Sequence, residues 1–209
     1  AASDVYKRQM FQLPESVESA CNVGCCGIDG CVSTLVGASL VNPDRLCYVV
    51  VGDLTFFYDL NSLGNHHIGT NLRVMLVNNG RGTEFRLGIH HCNVFGDDAD
   101  KYMAAAGHFG NKSPLLVKHY AEDLGFHYLS ATTKEEFMTA LSNFTNPQLS
   151  DHSMILEVFT DSKDESEALY LMSHIQSDAK GMVRSKLKDA VRNVAGEKGI
   201  NAIKKILKK

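Results

Sequence analysis

Apolar positions along the chain fall into short blocks whose period alternates between strand-like and helix-like. Val32 to Leu40 is small and apolar enough for a buried helix, and Asn42-Pro43 ends it because a residue before proline leaves the α region. Leu46 to Val51 is a continuous apolar run ending in three β-branched valines, which predicts a strand buried on both faces. After the Gly52-Asp53 turn, Phe56, Leu60, Leu63 and His67 recur at helical spacing. Leu72 to Val77 reads as a second buried strand, closed by Asn78-Asn79-Gly80, and a less regular stretch runs from Arg81 to Asn111. Pro114 is placed to open a helix outlined by Leu115, Leu116, His119, Tyr120 and Leu124, with Gly125 closing it. Phe126 to Ala131 predicts a short strand, Thr133 to Phe144 a helix exposing Lys134, Glu135 and Glu136, Met154 to Thr160 a further buried strand, and Glu165 to Ile175 a covering helix.

Strands that alternate with helices in this way predict an α/β fold. The sheet is mostly parallel with helices on both faces, because a parallel crossover needs a helix to return the chain. Ligands in such folds sit at the carboxyl ends of strands, where Gly52-Asp53 and Asn78-Asn79 both fall. Past this pattern, Met182, Val183, Leu187, Ala190, Val191 and Val194 repeat at helical spacing. Gly196 and Gly199 interrupt, and Ile200, Ile203, Ile206 and Leu207 restart the stripe. The expected organisation is a domain over residues 10–177 and a basic amphipathic helical tail over 178–209. Residues 1–9, with Asp4-Val5-Tyr6-Lys7-Arg8-Gln9, resemble the translation of a DNA-library adapter and are set aside as a foreign leader.

Charge changes this picture more than composition does. The net charge of -3 hides a tail at +7 and a preceding body at -10. An acidic body lacks the phosphate-neutralising surface that nucleic-acid binding needs, so that class is excluded for it. The tail fits attachment to protein better than to an anionic membrane, since it offers no Trp or Phe as an interfacial anchor. No apolar run approaches the roughly 20 residues of a membrane-spanning helix. No secretory signal is visible, which makes the cytoplasm the expected compartment. Cys21, Cys25, Cys26 and Cys31 follow the order C-x3-C-C-x4-C, without the paired C-x2-C knuckles of a structural zinc site, so reduced buried thiols are expected. The pairs His66-His67 and His90-His91 make no two-ligand face, because adjacent residues diverge on a helix or strand.

The chemistry concentrates at two strand ends. One carboxylate, Asp53, and one carboxamide, Asn79, stand 26 positions apart, room for one crossover helix. Oxygen donors suit a hard divalent cation, and so few protein donors suit Mg²⁺, which keeps waters and takes further oxygens from a phosphate. Backbone N–H groups around Gly27 to Gly30 and nearby helix N-termini are candidates for the remaining phosphate oxygens. The ordinary alternative for Asp53 is a helix N-cap, and for Asn78-Asn79 a turn after a strand.

Val51-Gly52-Asp53-Leu54 through Val77-Asn78-Asn79-Gly80 resembles the G-D-x…N-N signature of thiamine-diphosphate-dependent enzymes. Gly24-Cys25-Cys26-Gly27-Ile28-Asp29-Gly30 with Val32-Ser33-Thr34, and Gly52-Asp53-Leu54 with Tyr58-Asp59-Leu60-Asn61, are similar to segments of one branch, the menaquinone-pathway 2-succinyl-5-enolpyruvyl-6-hydroxy-3-cyclohexene-1-carboxylate synthases. The resemblance runs from about Asn22 to Ile175, the pyrophosphate-binding domain of that family. It implies thiamine diphosphate and Mg²⁺ as cofactors, with Asp53, Asn79 and the carbonyl of Arg81 on the metal. Gly27, Ile28, Asp29, Gly30, Gly52, Asp53, Leu54, Asn79 and Phe85 would lie against the cofactor, Ile28 being the wedge that holds it bent.

Further implications follow from the family. A 2-oxo acid is decarboxylated and the resulting carbanion is passed to an acceptor. The activating glutamate lies on a pyrimidine-binding domain, which 209 residues do not include, so this domain is expected in cis or from a partner subunit. A homodimer or higher assembly is implied for the intact enzyme. Two positions depart from the family. Val23 stands where it has an arginine facing substrate carboxylates, and Glu84-Phe85 replaces an apolar pair. The cofactor half matches and the substrate half does not, which leaves open a relative acting on another 2-oxo acid. A non-catalytic phosphate- or nucleotide-binding α/β module with a partner-binding tail is the alternative from another class.

Overall fold

The computed structural model describes residues 14–20, 27–86, 90–102, 113–148 and 150–174. Helix α1 (Cys31–Val41) leads into β1 (Cys47–Gly52) and directly into α2 (Asp53–Asp59), which tightens to a 3₁₀ turn over Leu60–Gly64. Strand β2 (Leu72–Asn78) is followed by 3₁₀ segments at Thr83–Arg86 and His91–Lys101, the latter kinked at Gly96. Then come α3 (Leu116–Asp123), β3 (His127–Ala131), α4 (Lys134–Phe144), β4 (Met154–Phe159) and α5 (Ser162–His174). The four strands form one parallel sheet in the order β1-β2-β4-β3. The chain divides into two compact units at Glu167, inside α5.

Alternation along the strands sends side chains to two cores, because successive strand residues face opposite ways. On one face Val51, Leu72, Val74, Leu76 and Ile155 pack with Val32 and Val36 of α1, Phe56 of α2, and Val117 and Ala121 of α3. On the other, Met75, Leu129, Met154 and Leu156 pack with Ala140 and Phe144 of α4. This is the α/β architecture, helices on both faces, that the periodicity predicts. At the amino ends of the strands, Asn71 Nδ2 donates to the carbonyls of Ser39, Asn42 and Arg45, which fastens the short α1–β1 connection.

Several expectations need correction. Strand β1 is an edge strand: Val51 is buried, whereas Tyr48 is 43% and Val50 54% exposed, so it is not covered on both faces. Helix α1 buries one side only, through Val32, Val36 and Ser39, and leaves Leu40 and Val41 exposed. The period after β1 ends at Gly64; His67 is exposed beyond it, and Ile68 packs toward the core instead. In α3 the buried residues are Val117 and Ala121, with Leu115 and Leu116 exposed, because Leu115 is the N-cap rather than part of the face. His66 and His67 lie in a turn, where their rings come 3.8 Å apart instead of diverging. The leader, Cys21, Asn22-Val23-Gly24, Cys25, Cys26, Ile175 and the tail 178–209 lie outside the described residues. Cys31, Cys47 and Cys92 are of intermediate burial, and no metal-holding His/Cys/Asp/Glu cluster exists among the described residues. No helix among them is long and apolar enough to cross a membrane.

Candidate functional site at the carboxyl ends of the strands

Strands β1 and β2 are paired in register, with Gly52 beside Val77, so their exits stand side by side. Asp53 is the first residue after β1, is 2% exposed and opens α2. Its Oδ1 accepts the Leu54 N–H at 2.9 Å. Its Oδ2 accepts the Gly80 N–H at 2.6 Å, so the carboxylate from one strand end reaches across to the turn that begins at the next. Gly80 has φ of 81°, in the left-handed region where a side chain is strained, and that conformation aims its N–H at Asp53.

Asn78, the last residue of β2, and Asn79, the first beyond it, part company, as adjacent residues at a strand end do. Asn78 turns into the protein and donates at 2.7 Å to Glu157 Oε1 on the neighbouring strand. Tyr128 donates its hydroxyl to the other carboxyl oxygen of Glu157, also at 2.7 Å. Burial pushes the Glu157 carboxyl up; the hydrogen bonds from Tyr128 and Asn78 pull it down, and the charge of Asp53 adds to the rise. Burial together with Glu157 pushes the Tyr128 hydroxyl well above an ordinary phenol.

Asn79 faces the site. Its Nδ2 donates to Glu165 Oε2 at 2.6 Å and to Thr83 Oγ1 at 2.7 Å, while its Oδ1 accepts the Arg81 N–H at 3.0 Å. An amide oxygen has two lone pairs and a carboxylate about four, so acceptor capacity for a cation remains on both Asn79 and Asp53. The Asp53 carboxylate and the Asn79 carboxamide oxygen are hard oxygens, the donor type that a divalent cation of the Mg²⁺ class takes.

Gly27 to Gly30 lead into helix α1, whose C-terminal end is tied to Asn71 just before β2 and whose first turn is tied to α2, the helix that follows β1. The N-cap of α1, Gly30, has φ of 80° and no side chain to cap with. Asp59 at the end of α2 supplies one instead, accepting the Ser33 N–H at 2.7 Å. Gly27, Ile28 and Gly30 are partly buried and Asp29 is exposed; a Cβ on Gly27 would lie 2.6 Å from Asp29 Oδ1. Gly52 is the N-cap of α2, and Leu54 is partly buried. Phe85 packs edge-on against His90, centroids 5.0 Å apart, and Glu84 beside it is exposed.

Sequence reasoning left out Glu165, Thr83 and Glu157, and quoted Asp59 without giving it a role. The only signal for Glu165 was an acid in the first turn of a helix after a strand, which ordinary helix preferences explain equally well.

No protein-family model matches the chain. Among curated proteins, it is 35% identical over 168 residues to the 2-succinyl-5-enolpyruvyl-6-hydroxy-3-cyclohexene-1-carboxylate synthase of Bacteroides fragilis, a match covering 80% of this chain and 29% of that protein. It is 35% identical over 171 residues to the synthase of the same name from Phocaeicola vulgatus, and 34% over 161 residues to that from Bacteroides thetaiotaomicron. The matches to those two cover 80% and 77% of this chain, and 28% and 27% of theirs. The chain is thus a homologue of these synthases over about four-fifths of its length, and it spans less than a third of theirs.

Proposed function

We propose that this chain is the diphosphate- and Mg²⁺-binding part of a thiamine-diphosphate-dependent synthase that decarboxylates a 2-oxo acid and transfers the product carbanion to an acceptor. The observation that carries the proposal is the convergence of Asp53 and the Asn79-Gly80 turn, 26 positions apart in sequence and joined by the Asp53–Gly80 hydrogen bond. Homology to the synthases named above supports it.

In this proposal Asp53, Asn79 and the Arg81 carbonyl hold the cation. Gly27 to Gly30, Gly52 and Leu54 line the diphosphate side, and Ile28 and Phe85 supply apolar contact. When bound, the cofactor supplies the carbanion chemistry that cleaves a 2-oxo acid next to its carboxylate. The chain's own residues bind and orient: Asp53 is buried and fixed by two N–H donors, so it meets a cation without reorganising. The activating group and the pyrimidine-binding part are supplied elsewhere, in the same polypeptide or by a partner subunit, in a dimer or larger assembly. Residues 10–177 form the cofactor domain and 178–209 a tail dispensable for it. Glu84, which is exposed, stands where the family has an apolar residue, and Val23 where it has an arginine; both favour a 2-oxo acid or acceptor other than that of the menaquinone-pathway enzymes.

Calorimetric titration of thiamine diphosphate into the intact enzyme carrying this segment, with and without Mg²⁺, tests the proposal. Binding is expected to be saturable and Mg²⁺-dependent, to be abolished by Asp53→Ala, and to survive Cys25→Ser nearly unchanged. Binding that ignores both Mg²⁺ and Asp53 would leave a non-catalytic phosphate-binding module as the better description.

A further inference from the structure

Asn79 can serve a cation only through Oδ1; if its amide turns over, it presents an NH₂ group, which repels one. The surroundings decide the orientation chemically. Only the NH₂ end can face a carboxylate, and Glu165 Oε2 stands 2.6 Å from Nδ2. Thr83 Oγ1 takes the second N–H at 2.7 Å, and the Arg81 N–H, a donor, meets Oδ1. Glu165 is itself held: Thr160 Oγ1 donates to its other oxygen, and its N–H bonds the Asp161 carbonyl at 3.0 Å. The Thr160 N–H in turn bonds the Asn78 carbonyl at 3.0 Å, so the exit of β4 is laced to the exit of β2 immediately before Asn79.

We propose that Glu165 is a positioning residue for the cation site: from the first turn of α5 its carboxylate fixes the Asn79 amide with Oδ1 presented as the ligand. The role rests on the assignment of Asp53 and Asn79 proposed above. Glu165 also adds a negative charge beside the cation, and a charged acceptor holds the amide more firmly than a neutral one.

The test is the Mg²⁺ concentration that half-saturates cofactor binding in the intact enzyme, with direct Mn²⁺ binding followed by electron paramagnetic resonance as a readout free of turnover. Glu165→Ala is expected to raise the half-saturating Mg²⁺ roughly 10-fold or more, as loss of a group that orients a ligand does, and to leave the rate at saturating Mg²⁺ nearly unchanged. Glu165→Gln keeps an acceptor for Nδ2 and should stay within about threefold of the native enzyme, the remainder being the lost charge assistance. Thr83→Ala shifts the metal dependence in the same direction and, combined with Glu165→Gln, more than additively. Asp161→Ala is the control: it removes the side-chain cap on the Lys163 and Asp164 N–H groups without touching Asn79. It should lower the melting temperature and leave the Mg²⁺ dependence alone.

An unchanged Mg²⁺ requirement in Glu165→Ala, or an equal shift in Asp161→Ala, would overturn the positioning role. Asp53→Ala run alongside separates the two levels. If it abolishes binding while Glu165→Ala does nothing, only the role of Glu165 falls. If it binds normally, the site assignment falls and takes this role with it.

Discussion

Glu157 shows how much one interior side chain can depend on distant partners. It lies in the middle of β4, 1% exposed, with Asn78 and Tyr128 bonded to its two oxygens. Those partners are 79 and 29 positions away, so nothing local in the run Met154 to Thr160 marks it as a polar centre. Among the described residues, Asn78 Oδ1 is buried there with no hydrogen-bond partner. Because the folded carboxyl is raised above its ordinary value of 4.5, the fold favours its protonated form. Its contribution to stability is full below that ordinary value and is lost as pH rises through the raised one. Glu157→Gln mimics the protonated acid and brings an amide donor within reach of Asn78. The variant should therefore match the native protein near pH 5 and melt higher near pH 8, as followed by circular dichroism. A variant that instead melts lower than the native protein near pH 8 would mean that the ionised carboxylate is the form Tyr128 and Asn78 hold.

Among the elements, the order of helices and strands was legible because each has its own apolar period and its own punctuation. The helix expected from Thr133 begins there, with Thr133 and Glu136 forming a capping box that sequence reasoning left out, and Gly125 with φ of 80° closes α3 where the sequence places it. Contacts between elements were not legible, and α1 is the clearest case. Its N-cap is glycine, so a local rule finds no cap, yet Asp59 from α2 caps it across 26 positions. The bond joins the helix after the glycine-rich loop to the helix opened by Asp53, the two halves of the candidate site. Asp59→Ala should cost about 1 kcal/mol, the usual loss for a cap, measured by urea unfolding. Ser33→Ala should be near neutral, since the donor is the Ser33 main chain. A large loss in Ser33→Ala with none in Asp59→Ala would mean that the helix end is held by something other than this cap. Register in a parallel sheet fixes where strands exit, which is why the adjoining ends of β1 and β2 were legible, whereas the orientation of the Asn79 amide depends on Glu165, 86 positions on.

At the scale of the whole sheet, the chain lays β4 between β2 and β3, so the central pairing waits for residues about 80 positions apart to meet. That leaves β1 at the edge, paired on one side only among the described residues. Period-2 alternation then sorts its valines sharply. Val51 points into the core with α1 and α2 and is 6% exposed, whereas Val50 points to the opposite face and is 54% exposed beside half-exposed Tyr48. Exposed apolar side chains on an edge strand favour self-association, which native edges commonly oppose with a charge. Val50→Lys should therefore keep the fold at a cost of about 1 kcal/mol or less, the span of strand propensity, and lower the scattering of concentrated solutions. Val51→Lys, one residue on, buries an unpaired ammonium and should abolish folding. Dynamic light scattering over a concentration series, with urea unfolding of each variant, separates the outcomes. If Val50→Lys unfolds the chain as Val51→Lys does, the outer face of β1 is covered in solution, and β1 is then the doubly buried strand that its unbroken apolar run predicts.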